Sequence, residues 1–575
     1  MQLKVTRSGP RTYLQIVHAY RDEETGRPKQ RHIANLGRAD QLDENDLDTL
    51  INGLLKFTNR TTLDKLHADV TAEGATFRPA LQVGDIWAIL GIWHQLRLAQ
   101  TIAKAVRRSR RQIDVERLVR VMVMNRLSDP KSKLGVLRWL EQVYLPGVDR
   151  DAVQHQHLLR AMDVLLEHKQ EIEDELVGTL LPLFDTEMEV VFYDITAVSV
   201  EGESELKSDV RERGKSKDFD GVDRQFAVGV VQTADGFPIT HEVFKGNISE
   251  TTTVREVVKG LVERFPIRRL VFVADRAMIS LDNLADLEGI ELPGKRKVEY
   301  ILAVPARRYR KMTEELPELH QKLMDATKDS DEEAVAEAEV DGRRLVVAHS
   351  PKIARRARRM RAKRAVKALA LARKLAGKLN DQDDGIARRG RRLSDAGAKI
   401  TFGQQLSKLK LTRLIQIETD DDIFWWDWNV PELKRDLELD GKLVLISNVR
   451  DLSAEQLVAQ YKDLADIERG FRIMKNQLDL GPVYHRLPDR IRAHTFICFL
   501  ALVIQRALRH RLHRSALDMS PEEMLYRLRS VQRHSVRLTS GKELEGLSAI
   551  TPEQRSMFDA AGVPLPTLKR LDAAV

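Results

Sequence analysis

The sequence predicts an α/β fold, on three observations. Residues 189–303 hold short apolar runs rich in β-branched residues: "EVVFYDITAV", "RQFAVGVVQTADGFPITHEVFKG", "RRLVFVADRAM" and "EYILAVPA". Helical spacing separates the later ones, in "TTTVREVVKGLVERF" and "SLDNLADLEG". The chain on either side reads as mainly helical, so the strands belong to one α/β core set among other segments.

In chain order, 1–80 reads as an N-terminal hairpin with short helices, from "YLQIVHAYRD" and "KQRHIANLG" around the turn residues "EETGRP". Residues 81–185 turn helical and basic, as in "RRSRRQIDVERLVRVMVMNRLSDPKSKLGVLRWLEQ". This is a candidate DNA-binding region, a solvated helix surface being the alternative. In 186–310, "EVVFYDITAV" reads as a strand buried on both faces and the next two strands as a meander around "ADG". Helix, strand, a short helix with Ser280 as its cap, and a last strand follow. Three strands, helix, strand, helix, strand is the order of an RNase H-like core. Residues 311–450 read as a long insertion: a mixed-charge helical part, the strand "GRRLVVAHS", a basic helix, and strand-like pieces in "LIQIETDDDIFWWDWN" and "DGKLVLISN". A structureless loop of that length is improbable, which argues for an embedded domain. Residues 451–520 return to the core with "YKDLADIERGFRIMKNQLDL" (461–480) as one amphipathic helix, and 521–575 read as a C-terminal helical tail.

Composition narrows the function. A chain of 575 residues divides into roughly three or four domains. Lys plus Arg outnumber Asp plus Glu by 94 to 86, so a polyanion partner must be met by local basic patches. The single cysteine, Cys498, excludes a disulfide framework and a thiolate zinc cluster, and suits a reducing cytoplasm. No h-region with a cleavage site opens the sequence, and "TFICFLALVI" (495–504) reads as a buried core helix, so no membrane segment is expected. "RERGKSK" has Asp209 where a P-loop needs its first glycine, so no NTP is implied. "HQH" (155–157) and "RHRLHR" (509–514) lack zinc-ligand partners and read as surface or nucleic-acid-contacting residues. Trp425, Trp426 and Trp428 read as strand core in preference to a base-stacking site.

Three carboxylates stand out. Asp194 lies inside "VVFYDITAV", where burial is costly unless the group is paired, protonated or metal-bound. Asp275 closes "RLVFVADRAM" at the carboxyl end of its strand, where ligands of open α/β sheets collect. Glu468 shares a helix face with Tyr461, Leu464, Phe471 and Lys475, and so points inward. Each has a plainer account: a hydrogen bond to Thr196, a turn paired with Arg276, an i,i+4 pair with Arg472. Together they are the oxygen donors that Mg²⁺ takes, with Mn²⁺ as a substitute, at a site for phosphoryl transfer.

The chain resembles the bacterial insertion-sequence transposases of the DDE type, in the insertion-sequence 4 group and its 1634-like branch. The resemblance rests on "YLQIVHAYRD...KQRHIANLGR", "NRLSDPKSKLGVLRWL", "FYDITAV", "VFKGNISETTT", "VADRAMIS", "SPKIARRARRMR", "DGKLVLISN" and the stretch from "YKDLADIERG" to "HTFICFLAL". The group's late signature is Y-x2-R-x3-E-x6-K; Tyr461, Glu468 and Lys475 fit it, and Leu464 stands at the arginine position. Ala277 likewise stands where such proteins often carry glycine. The resemblance implies Asp194, Asp275 and Glu468 as catalytic metal ligands, and Tyr461, Lys475 and Arg472 as DNA-end contacts. It implies binding of terminal inverted repeats, cleavage, and joining of 3′-hydroxyls to target DNA by a homodimer or higher oligomer in a bacterial cytoplasm, associated with the nucleoid. An RNase H-like nuclease without strand transfer and a domesticated, non-cleaving DNA-binding protein are the alternatives. Twelve basic residues and no acidic one lie between Lys352 and Lys378. A helix so charged repels itself unless a polyanion neutralises it, so Arg355, Arg356, Arg359 and Lys363 are further expected DNA contacts.

Overall fold

The computed structural model describes residues 2–8, 11–21, 28–39, 75–107, 113–184, 189–201, 210–215, 222–265, 267, 269–274, 281–292, 296–305, 309, 317–327, 332–386, 392–418, 423–538 and 542–573. The chain forms two units, Met1–Leu81 with Val531–Ala549, and Gln82–Ser530 with Ile550–Val575.

In the first unit the expected hairpin gains a strand. β1 (Gln2–Ser8), β2 (Arg11–Arg21) and β3 (Pro28–Arg38) form an antiparallel sheet in that order. β4 (Ala75–Phe77) completes a second sheet with strands from the far end of the chain.

The second unit opens with helices α1 (Gly84–Gln95), α2 (Leu98–Val106), α3 (Val115–Ser128), α4 (Lys133–Leu140), α5 (His155–Glu167) and α6 (Lys169–Phe184). Asp114 and Ser132 cap α3 and α4 by accepting the N–H of Arg117 and Gly135. The core strands follow: β5 (Val190–Ser199), β6 (Glu212–Lys215), β7 (Val222–Thr233) and β8 (Pro238–Lys245). Then come α7 (Glu250–Arg264), β9 (Val271–Ala274), α8 (Leu281–Glu288) and β10 (Glu299–Ala303). Five of these strands lie in the order β8-β7-β5-β9-β10, with β5, β9 and β10 parallel and β7 and β8 antiparallel to their neighbours. Val191, Tyr193 and Ile195 of β5 pack with Val254, Val258 and Leu261 of α7 in a core on one face of the sheet. Ser280, the expected cap of α8, lies outside the described residues.

The segment read as an insertion departs from that reading. β11 (Ala334–Val340), β12 (Arg343–His349) and, after the helical part, Lys442–Ser447 extend the central sheet beyond β10. Lys442–Ser447 takes up the unpaired N–H and C=O groups at the edge of β10, a partner that no local pattern reveals. Between them, α9 (Pro351–Asp383) and α10 (Asp395–Lys408) enclose a small core of their own around Leu375, Phe402 and Leu406. The hairpin of β13 (Ile415–Ile417) and β14 (Trp426–Trp428) borders this core. Trp426 and Trp428 pack half-buried against it, while Trp425 is exposed. We number Lys442–Ser447 as β15.

Residues 461–480 are not one helix. α11 (Ala454–Lys462) and α12 (Ala465–Asn476) meet at a turn. There Asp466 and Ile467 donate to carbonyls three residues back, at Asp463 and Leu464, so the helix tightens locally and its face rotates. α13 (Pro488–His513) is the central helix of the unit. Its apolar window is long enough to cross a membrane, but 94% of that window is buried within the molecule. It packs on α1, α3, α5 and β8, which joins the N-terminal helices and the sheet in one body. The last segment is not wholly helical: β16 (Gln532–Leu538) pairs with β4 and with β17 (Glu543–Leu547) in the first unit.

Candidate active site

Asp194 stands in the middle of β5, opposite Val230 of β7, and is half-buried. Its Oδ1 accepts the N–H of Ile195 at 2.8 Å, which fixes the carboxyl's orientation. Alternation along the strand sends Tyr193 and Ile195 into the α7 core and turns Asp194 to the other face, with Phe192 and Val198.

α12 covers that same face. Gln232, directly across from Phe192, lies under Gly470 of α12. Gly481, just after α12, has room for no side chain, because a Cβ there would sit 2.6 Å from Val198 Cγ1. The N–H of Val483 then donates to Ser199 O at 3.2 Å, and the N–H of Glu201 to Val483 O at 3.0 Å. The chain leaving the glutamate helix is thus stitched to the end of the aspartate strand.

Glu468 itself does not point inward. The buried stripe of this stretch is Leu464, Ile467, Phe471 and Met474, and Glu468 is exposed at its edge. Within α12 the buried stripe runs through Ile467, Phe471 and Met474, which leaves the carboxylate beside it and out of the packing. Glu468, Tyr461 and Leu464 line a cavity of about 530 Å³ together with Ser350 and Ile353 at the start of α9. Tyr461 and Lys475 are half-buried and Arg472 is exposed. Asp275 lies outside the described residues; Ala274, which precedes it, is in register with Tyr193, the residue before Asp194.

The basic helix is less unbalanced than its own sequence suggests. Arg361 makes a bidentate pair with Asp440 at 2.8 and 2.5 Å, and Arg358 lies 3.6 Å from the same carboxylate. Arg355, Arg356, Arg359 and Lys363 are exposed.

Two groups that position α12 were not singled out from sequence. Arg506, a buried arginine of α13, pairs with Asp466 Oδ2 at 2.8 Å and donates to Asp466 O at 2.7 Å. Arg509 adds a bond to Oδ1 at 3.1 Å. Gly236, with φ +81°, lets Asp466 approach the β7–β8 turn, since a Cβ there would collide with its carboxylate. At the other end, Arg126 of α3 donates to Leu478 O and Asp479 O, both at 3.2 Å, and to Lys131 O. Arg506 follows, after Gln505, on the apolar run that ends at Ile504, and that position on a buried helix is the signal that points to it.

The carboxylate oxygens of Asp194 and Glu468 are the hard donors a divalent cation takes. Among the described residues no group of three His, Cys, Asp or Glu is gathered for a metal, and Asp275 is not among them.

Residues 3–68 match the model of the IS1634 family transposase N-terminal domain, and residues 185–504, more than half of the chain, match that of the transposase DDE domain. No curated protein matches the chain. Among solved structures, the chain is similar to a piggyBac transposase in a synaptic complex with hairpin DNA, determined by cryo-EM. The identity is 10% and the TM-score 0.36, over 77% of this chain and 78% of that one. The DDE match spans both the aspartate strand and the glutamate helix: the chain belongs to the DDE transposases and, by its N-terminal domain, to the IS1634 family.

Proposed function

We propose that Asp194, Asp275 and Glu468 are the catalytic carboxylates of an RNase H-like core and hold Mg²⁺ or Mn²⁺. Through them, in this reading, the enzyme cuts the terminal inverted repeats of its insertion sequence and joins the freed 3′-hydroxyls to target DNA. The observation that carries it is the covering of Asp194's face of the sheet by the helix that bears Glu468. The strand order β8-β7-β5-β9-β10, and the register of Ala274 beside Tyr193, support it. Bound there, divalent ions supply the charge that stabilises in-line displacement at phosphorus.

The protein's own part is orientation. Asp194 is held by the Ile195 amide, and α12 is clamped at its start through Asp466 to Arg506 and beyond its end through Arg126. These contacts fix where the carboxylates stand before DNA arrives, which is how a rigid scaffold lowers the cost of ordering a reactive geometry. Tyr461, Arg472 and Lys475 contact the cleaved end, and Arg355, Arg356, Arg359 and Lys363 the flanking backbone. A homodimer or larger assembly pairs the two ends, in the cytoplasm and associated with the nucleoid.

Labelled donor DNA carrying the repeats that flank the gene, incubated with the protein and Mg²⁺, is expected to give cut ends and joined products on a gel. Cut ends without joining would make it a nuclease. Binding without any cutting would make it a non-cleaving DNA-binding protein.

A further inference from the structure

The segment from Asp479 to Leu487 closes one side of a cavity of about 450 Å³ whose other walls come from α3, α4, α5 and the start of α13. Its cationic lining is Arg126, Lys131, Lys133, Arg486 and Arg490, with the imidazole of His485 beside them. Two carboxylates face cations of this lining. Asp163 binds Arg490 at 3.1 Å, and Asp479, largely in solvent, lies 3.7 Å from Arg126.

Lys133 is 6% exposed, and its ammonium has His494 Nδ1 at 3.4 Å as its neighbour, with no carboxylate paired to it among the described residues. Arg126 Nε is buried without a partner. Burial first, then the charge of Arg126, pushes the Lys133 ammonium down to about 7; burial, then Lys133, Arg490 and Arg126, pushes His485 down to about 3. Lys133 is thus an ammonium held out of water beside the charge of Arg126, and an arriving anion relieves it.

The mouth is of the opposite character. Tyr484 is 71% exposed, and Leu134 and Leu487 flank it in solvent. A cationic floor beneath an exposed aromatic ring suits a nucleotide, with phosphate inside and base stacked outside. The volume is that of a small-ligand site. Its wall is the segment whose Val483 is hydrogen-bonded to Ser199 and Glu201, at the end of the Asp194 strand.

We infer that this cavity takes one unstacked nucleotide of a single-stranded DNA segment beside the cleavage site, its phosphodiester among the cations of Lys133 and Arg126 and its base on Tyr484. The inference rests on the proposed DNA-cleaving function. It adds a strand-holding site on the N-terminal helices, apart from the carboxylates and the insertion.

The test uses the full chain in chelator, with two fluorescent probes: a short blunt duplex, and the same duplex with a few unpaired nucleotides at one end. The extension is expected to tighten binding by the wild type about tenfold, the effect of one stacked base. Lys133→Met and Tyr484→Ala should each remove most of that gain and leave blunt-duplex affinity unchanged. Tyr484 is on the surface, so its variant keeps the fold. Lys133→Met removes a buried charge, and its melting temperature should equal or exceed that of the wild type.

No gain from the extension, or equal losses on both probes, would overturn the nucleotide site while leaving duplex binding intact. Millimolar inorganic phosphate that lifts the melting temperature of the wild type but not of Lys133→Met, without weakening the extended probe, would make this a free-anion site and also overturn the inference. Failure to bind either probe would instead overturn the DNA-cleaving reading itself, and this site with it.

Discussion

At Glu173 a carboxylate with no exposed surface is held from three sides. Lys169 lies at 3.1 Å, His241 Nδ1 at 2.9 Å and Arg264 at 3.0 Å, and the Thr240 hydroxyl donates at 2.9 Å. Burial alone would raise its pKa, but Lys169, His241 and Arg264 together lower it to about 2. Because the folded value lies below the ordinary 4.5, the stabilisation is fully present above pH 4.5 and is lost as pH falls through about 2. Glu173→Gln leaves buried cations uncompensated and should cost about 3–5 kcal/mol at neutral pH. Melting temperatures should show the gap between variant and wild type narrowing as pH drops below about 4; a constant gap would assign the loss to packing instead. The residues proposed for catalysis differ in kind from Glu173. Asp194 is conspicuous in the sequence as a carboxylate among apolar neighbours, whereas Glu468, expected to face inward, is exposed. The exposure of Glu468 fits the plainer reading of it as an edge residue able to pair with Arg472, since the buried stripe of α12 runs through Ile467, Phe471 and Met474.

The elements were legible to the extent that their partners are local. β5, β7, β8, β9 and β10 announce themselves as apolar β-branched runs, and α9 by its unbroken helical composition. β12 and β15 were recognisable as strands, but not as part of the central sheet, since β15 pairs with β10 across more than a hundred positions; β11 falls largely in the stretch read as a mixed-charge helical part, and is a strand because it pairs with β12. A separation of 79 positions likewise hid Asp440, the partner of Arg361 on α9. The exposed basic residues of α9 remain the expected backbone contacts. Replacing Arg355, Arg356, Arg359 and Lys363 with Gln should weaken binding to element ends and make the slope of log K against log salt shallower by up to about four. Saturating protein should restore cleavage, because the carboxylates are untouched. An unchanged slope would return this face of the helix to a purely solvated role.

On the scale of the whole second unit, α13 runs through the interior and touches both the N-terminal helices and the sheet. Arg506 and Asp466 lock it to the glutamate helix, and Arg126 reaches from α3 to the chain just beyond that helix. The helical region read from sequence as a candidate DNA-binding region is therefore built into the frame that carries the proposed catalytic face. The central claim is that this frame serves three carboxylates on one site. It is tested most directly by measuring, on the same labelled element end, both binding and Mg²⁺-dependent cleavage by Asp194→Asn, Asp275→Asn and Glu468→Gln. Phosphate contacts from Lys and Arg supply most of the affinity, so each variant should bind within a few-fold of the wild type and cut undetectably. Cleavage at the wild-type rate by any one of them would remove that residue from the site and contradict the account.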